Sequence, residues 1–369
     1  MQDGGNTAHE PAKGVEEKVP SPFEQKGFCA TLEAGKTKRV GALNVTDLCG
    51  NIGTASLAWI DYVVEDFEKE AMSVAASLGF SELLLRSLLA SPKGGYEDFE
   101  NEMGILLPAI YLEGTDVKID QLVIMMREGL LVTLHTKEVK RFFRLRRYAE
   151  TLLRKIPQKI PPKDKLTLLL IRIIDENNGR NFDYLRGIEE RGDQLSKQLA
   201  DPQISRNVIG TNIYEMKHAL IVYLGGLWST VDTLNALRYG DAELLADNQK
   251  ILNKITALVG EVNSHIGLAE HLSEVLASGL EVLQSIYNNQ LQVLNNRMAM
   301  LVAYLTIIGT ALLVPNTIAT VTGNSMFTFT SEDIPWYLTL ILLSTAVSTY
   351  ISWWAVTRFG LLPQSPEKE

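Results

Sequence analysis

Two apolar, charge-free stretches, 298–321 and 334–356, lie near the end of this 369-residue chain, separated only by residues 322–333. At about 1.5 Å of rise per residue each reaches roughly 35 Å as a helix, enough to cross a hydrocarbon core of about 30 Å. The pair reads as a transmembrane hairpin, and the remaining residues, nearly all before it, have to form soluble structure on one side of a bilayer.

Arg297 precedes the first span and Arg358 follows the second, whereas the loop 322–333 has no Lys or Arg and carries Glu332 and Asp333. The positive-inside tendency predicts two cytoplasmic termini, an external loop and a multi-pass protein of the cell membrane. A formal net charge of −9 with dispersed basic residues argues against nucleic acid as a partner. The segment 1–38 is expected to be a disordered N-terminal segment. It lacks the apolar core of a signal peptide and is too acidic for a transit peptide, so the soluble part is expected to stay inside. Cys29 and Cys49 have no metal-ligand spacing and read as free thiols of a reducing compartment.

Residues 39–157 read as an α/β domain. A strand is expected over 56–62, short helices over 65–78 and 81–90, and β-rich runs over 104–113, 117–127 and 130–135, divided by turn residues. A basic helix follows over 137–155, with Lys140, Arg141, Arg144, Arg146, Arg147, Arg154 and Lys155, read as a solvated face. Pro157, Pro161 and Pro162 end this unit, and 158–240 reads as a helical region.

From Leu244, every seventh residue is Ile251, Leu258, His265, Leu272, Gly279, Ile286, Val293, Met300, Ile307 and Val314, an apolar seam with two exceptions. It predicts one stalk helix over 241–321 that continues into the first span, and stalks of this kind usually oligomerise. A second line, three residues on, is Asn296, Ala303, Thr310, Thr317 and Asn324, all small or polar. Polar groups in hydrocarbon need partners or water, so this line is expected to face close-packed protein or a wet pore. The asparagines favour the pore, and with Val314 the line supplies the candidate pore residues. A ring of oxygens needs more than one copy of the chain. Glu332 and Asp333, repeated around an outer mouth, would concentrate cations. Trp336, Trp353 and Trp354 read as interfacial anchors. His265 and His271 are too far off one helix face to chelate together.

The Asn296-Arg297-Met298, Leu305-Thr306-Ile307-Ile308 and Pro315-Asn316-Thr317-Ile318-Ala319-Thr320 segments resemble the first span of the CorA family of divalent-cation channels. Trp59-Ile60-Asp61 and Leu130-Leu131-Val132-Thr133-Leu134-His135 also resemble positions of that family. The resemblance implies an α+β cytoplasmic domain, a very long stalk helix, two C-terminal transmembrane helices (322–333 external, 334–357 second span, 358–369 cytoplasmic tail) and a homopentameric funnel. It implies Mg2+, or another divalent cation, as substrate and as a regulatory ligand. Asn296 is then a candidate for the inner mouth, Thr317 for an intramembrane ring, Gly323 and Asn324 for the outer filter, and Glu261, Glu270 and Asp98 for regulatory metal.

The family signature is Gly-Met-Asn, whereas here Gly323 is followed directly by Asn324. The lysine cluster that usually follows the second span is also missing. These departures motivate two alternatives: transport of Zn2+, Co2+ or Ni2+, and a non-conducting pentameric scaffold. An enzyme is the weakest reading, for the chain has no phosphate-binding glycine loop, no His-Glu-x-x-His and no nucleophile elbow.

Overall fold

A computed structural model describes residues 25–53, 55–91, 94–113, 116–199, 204–239, 242–324 and 330–358. Ser325 and Met326 of the loop, and the tail after Arg358, lie outside them. The chain divides into two compact units, Met1–Gly279 and Leu280–Glu369.

The first unit is built on a mixed sheet of β1 (Gly27–Glu33), β2 (Lys36–Ala42), β3 (Leu57–Val63), β4 (Gly95–Phe99), β5 (Glu102–Glu113), β6 (Asp116–Arg127) and β7 (Leu130–His135). Its order is β2-β1-β3-β7-β6-β5-β4. Among the described residues only the central β3–β7 ladder is parallel. The first two strands correct the sequence expectation for 27–38, while residues 1–24 lie outside the described residues. Phe28, Cys29, Ala30 and Leu32 are buried in β1, and Ala34 and Gly35, with φ of 44° and 83°, make the tight turn into β2. Positive φ at both central residues suits the twist of a two-residue hairpin. The polar residues around this short apolar run hid it.

Strand periodicity assigns the two faces of the sheet. Ala58, Ile60 and Tyr62 of β3 join Val132 and Leu134 of β7 in a core under α1 (Val45–Cys49), α2 (Met72–Ser77) and α3 (Glu82–Ala90). Ser81 caps α3 by accepting from the Leu84 N–H at 3.2 Å. The alternate residues Trp59, Asp61, Thr133 and His135 fall on the other face, where α4 (Arg141–Arg154), α5 (Pro162–Leu199) and α6 (Arg206–Tyr239) pack.

The basic helix is not uniformly solvated. Arg144, Arg147 and Arg154 are exposed, but Arg141 and Arg146 are buried, because they flank the apolar stripe of Phe142, Leu145, Ala149 and Leu152. Arg146 Nε donates to Asp61 Oδ2 at 2.5 Å, and its other nitrogens donate to the carbonyls of Gln25 at 2.8 Å and Lys26 at 3.1 Å. The parallel register sets Asp61 beside Thr133, whose hydroxyl donates to Asp61 Oδ1 at 2.5 Å. His135, two residues further along the same face, places Nε2 3.2 Å from that oxygen and Nδ1 2.7 Å from the Thr136 carbonyl. Burial alone would raise the Asp61 pKa. The charges of His135 and Arg146 and the hydrogen bonds outweigh it and hold the carboxyl well below the usual range. Arg141 is held by neutral oxygens, those of Asn177 and Asn181 at 2.9 Å and the carbonyl of Ile110. Burial lowers its pKa to about 10.

Both cysteines are free thiols. Cys29 is 1% exposed, and burial pushes its pKa up to about 12; Cys49 is half-buried, with Sγ 3.2 Å from the Ser77 carbonyl. A thiolate reagent at neutral pH is therefore expected to label the native full chain at Cys49 only, and Cys29 after denaturation. Equal native labelling of both would contradict this packing.

Helix α7 runs over Gln249–Thr322, 74 residues, or roughly 110 Å of helix. It starts later than the expected 241 because residues 242–248 make a buried, irregular approach. Leu244 and Leu245 are buried, the Ala246 N–H donates to Thr167 Oγ1 at 2.9 Å, and Asn248 Oδ1 accepts the Lys250 N–H at 3.0 Å as a cap. The first part of the apolar seam faces the chain's own α5. Leu258 lines a cleft with Leu168 and Ile171, and the His265 ring stacks on Phe182 at 4.8 Å.

Candidate ion pathway

The second unit holds the end of α7 and α8 (Ile334–Arg358). Both helices are long and apolar enough to cross a membrane. Pro315, inside α7, has no N–H to donate, so the Ala311 carbonyl four residues earlier loses its helical donor. Ser348 of α8 brings Oγ to 3.5 Å from that carbonyl, with the Thr345 carbonyl of its own helix nearer at 3.1 Å. Nearer the loop, Thr322 Oγ1 lies 3.0 Å from Tyr337 Oη. The two contacts share one antiparallel register, in which Ala303 comes opposite Val356, and both of these residues are buried.

The small and polar line does not keep to one side of α7. Ala303 is buried and Asn296 and Thr310 are half-buried, whereas Val314, Thr317, Gly323 and Asn324 are exposed. A straight helix drifts by about 20° per heptad against a seven-residue repeat. Ala303 therefore lies on the side packed against α8, while Thr317 and Asn324 have rotated to the exposed side. Thr317 donates its only hydroxyl proton to the Leu313 carbonyl at 2.8 Å, so the oxygen lone pairs are what it offers to its surroundings. The Gly323 N–H reaches the Ala319 carbonyl at 2.9 Å and the Asn324 N–H reaches Val321 at 3.4 Å, continuing the last turn. A Cβ on Gly323 would stand 3.0 Å from the Ala319 carbonyl oxygen.

The loop acids differ. Asp333 Oδ2 accepts the Thr330 N–H at 3.0 Å and its hydroxyl at 2.8 Å. These bonds hold its carboxyl below the usual range and tie it into the turn that starts α8. Glu332 is exposed. Trp336, Trp353 and Trp354 are exposed along α8.

In the first unit, Asp98 on β4 accepts the Glu243 N–H at 3.2 Å, Glu261 faces Asp175 of α5 across a cleft shared with Arg172 and Lys254, and Glu270 is exposed. Burial, then the Asp175 charge, raise the Glu261 pKa. Among the described residues no group of three or more His, Cys, Asp and Glu is arranged to hold a metal ion, so one chain does not bring these three acids together. His265 is 7% exposed, and burial lowers its pKa. Sequence reasoning missed Ser348 and Tyr337. Pro315 signals an unpaired carbonyl, but only the packing of α8 shows which side chain meets it.

Residues 54–358 match the family described as CorA-like Mg2+ transporter protein. Among solved structures, the CorA magnesium transporter of Methanocaldococcus jannaschii is similar over 90% of this chain and 97% of its own, at 19% identity and a TM-score of 0.67. The full-length CmaX protein is similar over 91% of this chain and 98% of its own, at 16% identity and a TM-score of 0.58. The ZntB cytoplasmic domain from Vibrio parahaemolyticus is similar over 71% of this chain and 98% of its own, at 13% identity and a TM-score of 0.54. At such identities the likeness is one of fold. No curated protein matches the chain.

Proposed function

Since the chain belongs to the family of CorA-like Mg2+ transporter proteins, we propose that it conducts divalent cations, Mg2+ foremost, through a homopentameric membrane channel. The observation that carries this reading is the exposed face at the end of α7, where Thr317 offers a hydroxyl oxygen whose proton is already used and Asn324 adds an amide at the outer end. Mg2+ gives up its water reluctantly, so neutral oxygens spaced for the hydrated ion suit it better than a cage that strips it. One chain supplies one such oxygen per level, and a ring requires several copies. Val282, Leu291, Val293 and Leu294 are exposed on α7 before the first span, and apolar surface of this kind outside a bilayer favours association.

In this reading both termini are cytoplasmic, Glu332 draws cations to the outer mouth, and cytoplasmic metal bound by Asp98, Glu261 or Glu270 where copies meet gates the channel. The Gly323-Asn324 pair in place of Gly-Met-Asn favours a second reading, in which Zn2+, Co2+ or Ni2+ is the substrate or the pentamer does not conduct. Purified chain in proteoliposomes, assayed for flux of Mg2+, Co2+, Ni2+ and Zn2+, separates these readings. Mg2+ flux with fivefold assembly is the expected result. Flux of the other ions alone would replace the substrate, and well-formed pentamers that pass none of them would leave the scaffold.

A further inference from the structure

Resting on the channel reading above, we infer that Tyr337 is a positioning residue for ion selectivity, acting through Thr322 on the Gly323-Asn324 end of α7. Thr322 Oγ1 lies 2.7 Å from the Ile318 carbonyl and 3.0 Å from Tyr337 Oη. A hydroxyl carries one proton, and a carbonyl can only accept. Thr322 therefore donates to Ile318 and accepts from the Tyr337 phenol, so the chain of bonds runs from tyrosine to threonine to the α7 backbone. Tyr337 is itself fixed in the first turn of α8, where its N–H donates to the Asp333 carbonyl at 3.0 Å.

The Thr322–Tyr337 pair closes the base of the 323–333 connection. Gly323 and Asn324 follow Thr322 immediately, and the Gly323 N–H is wound onto Ala319 in the same turn. Their position across the pore thus depends on where α8 holds Thr322. Oxygen sites discriminate between ions only when held to about half an ångström, and a last helical turn frays when its carbonyls and side chains are left to water. The phenol removes that freedom without contacting the ion. A Tyr at a span end also serves as an interfacial anchor, a role that needs the ring but not this hydrogen bond.

The test measures the Mg2+ to Co2+ flux ratio in proteoliposomes of the full chain, with assembly checked by size. Tyr337→Phe and Tyr337→Trp are both expected to shift the ratio by about three- to tenfold, the scale of one hydrogen bond, with assembly unchanged. Thr322→Val is expected to give the same shift and Thr322→Ser none, and Thr322→Val combined with Tyr337→Phe should shift no further than either alone. An unaltered ratio in Tyr337→Phe, or a shift in Tyr337→Phe that Tyr337→Trp restores, overturns the inference in favour of anchoring. Additive shifts in the double variant overturn it as well. A wild-type chain that conducts neither ion overturns the channel reading itself, and this inference with it.

Discussion

Exchanging Asp61 for alanine is expected to destabilise the full chain by about 3–5 kcal/mol, the usual effect of leaving a buried charge without its partner. Asp61 and His135 are fully buried and Arg146 is 2% exposed. The guanidinium would keep its contacts to the Gln25 and Lys26 carbonyls but lose its ion pair with Asp61, and Thr133 and His135 would each lose an acceptor. Trp59, whose Nε1 donates to Thr133 Oγ1 at 3.2 Å, reports on the same cluster. Denaturant unfolding of the detergent-solubilised chain measures the effect, and a loss under about 1 kcal/mol would show that the cluster does not act as a unit. The paired exchange of Asp61→Leu with Arg146→Met should recover much of the stability, since removing both charges removes the uncompensated one. The pH dependence follows from the direction of the Asp61 shift. A carboxyl held low in the folded state contributes its full stability above the unfolded value of about 4. That contribution is lost as pH falls below about 4 towards the depressed folded value, so acid unfolding of this unit is expected only in strong acid.

The other large effect is expected in transport. Thr317→Val keeps the shape of the side chain and removes the exposed oxygen, and Asn324→Ala removes the amide at the outer end. If copies of these groups ring the pore, each substitution removes a full ring at once, and Mg2+ flux should change by about tenfold or more, equivalent to about 1.4 kcal/mol. Thr310→Val is the control, because Thr310 is half-buried where Thr317 is exposed, and its flux should stay within about twofold of wild type. Unchanged flux and ion preference in both Thr317→Val and Asn324→Ala, with normal assembly, would sink the filter assignment.

Much of this architecture was legible from local patterns. The β-rich runs before residue 136 are the strands β5, β6 and β7, because alternation and turn residues are short-range signals. The hairpin strands β1 and β2 were not, since a brief apolar run among polar residues carries too little periodicity to stand out. The basic helix was misread for a different reason. Charge alone does not say which arginine meets a carboxylate that lies 85 positions away in the chain.

The candidate pathway divides in the same way. A seven-residue line marked Thr317 and Asn324, and the family resemblance marked Gly323, yet their separation from Ala303 depends on helix rotation, and such a line exaggerates how far one face persists. By itself, the sequence determined the two spans and the long helix leading to them, because hydropathy and periodicity are properties of neighbouring residues, and short segments such as Pro315-Asn316-Thr317 carried the resemblance to the family. Only the tertiary structure decided which arginines are buried, which acid of the loop is tied into a turn, and which hydroxyls of α8 meet α7. Those outcomes depend on strand register and on the rotation of packed helices, which bring together residues far apart in the chain.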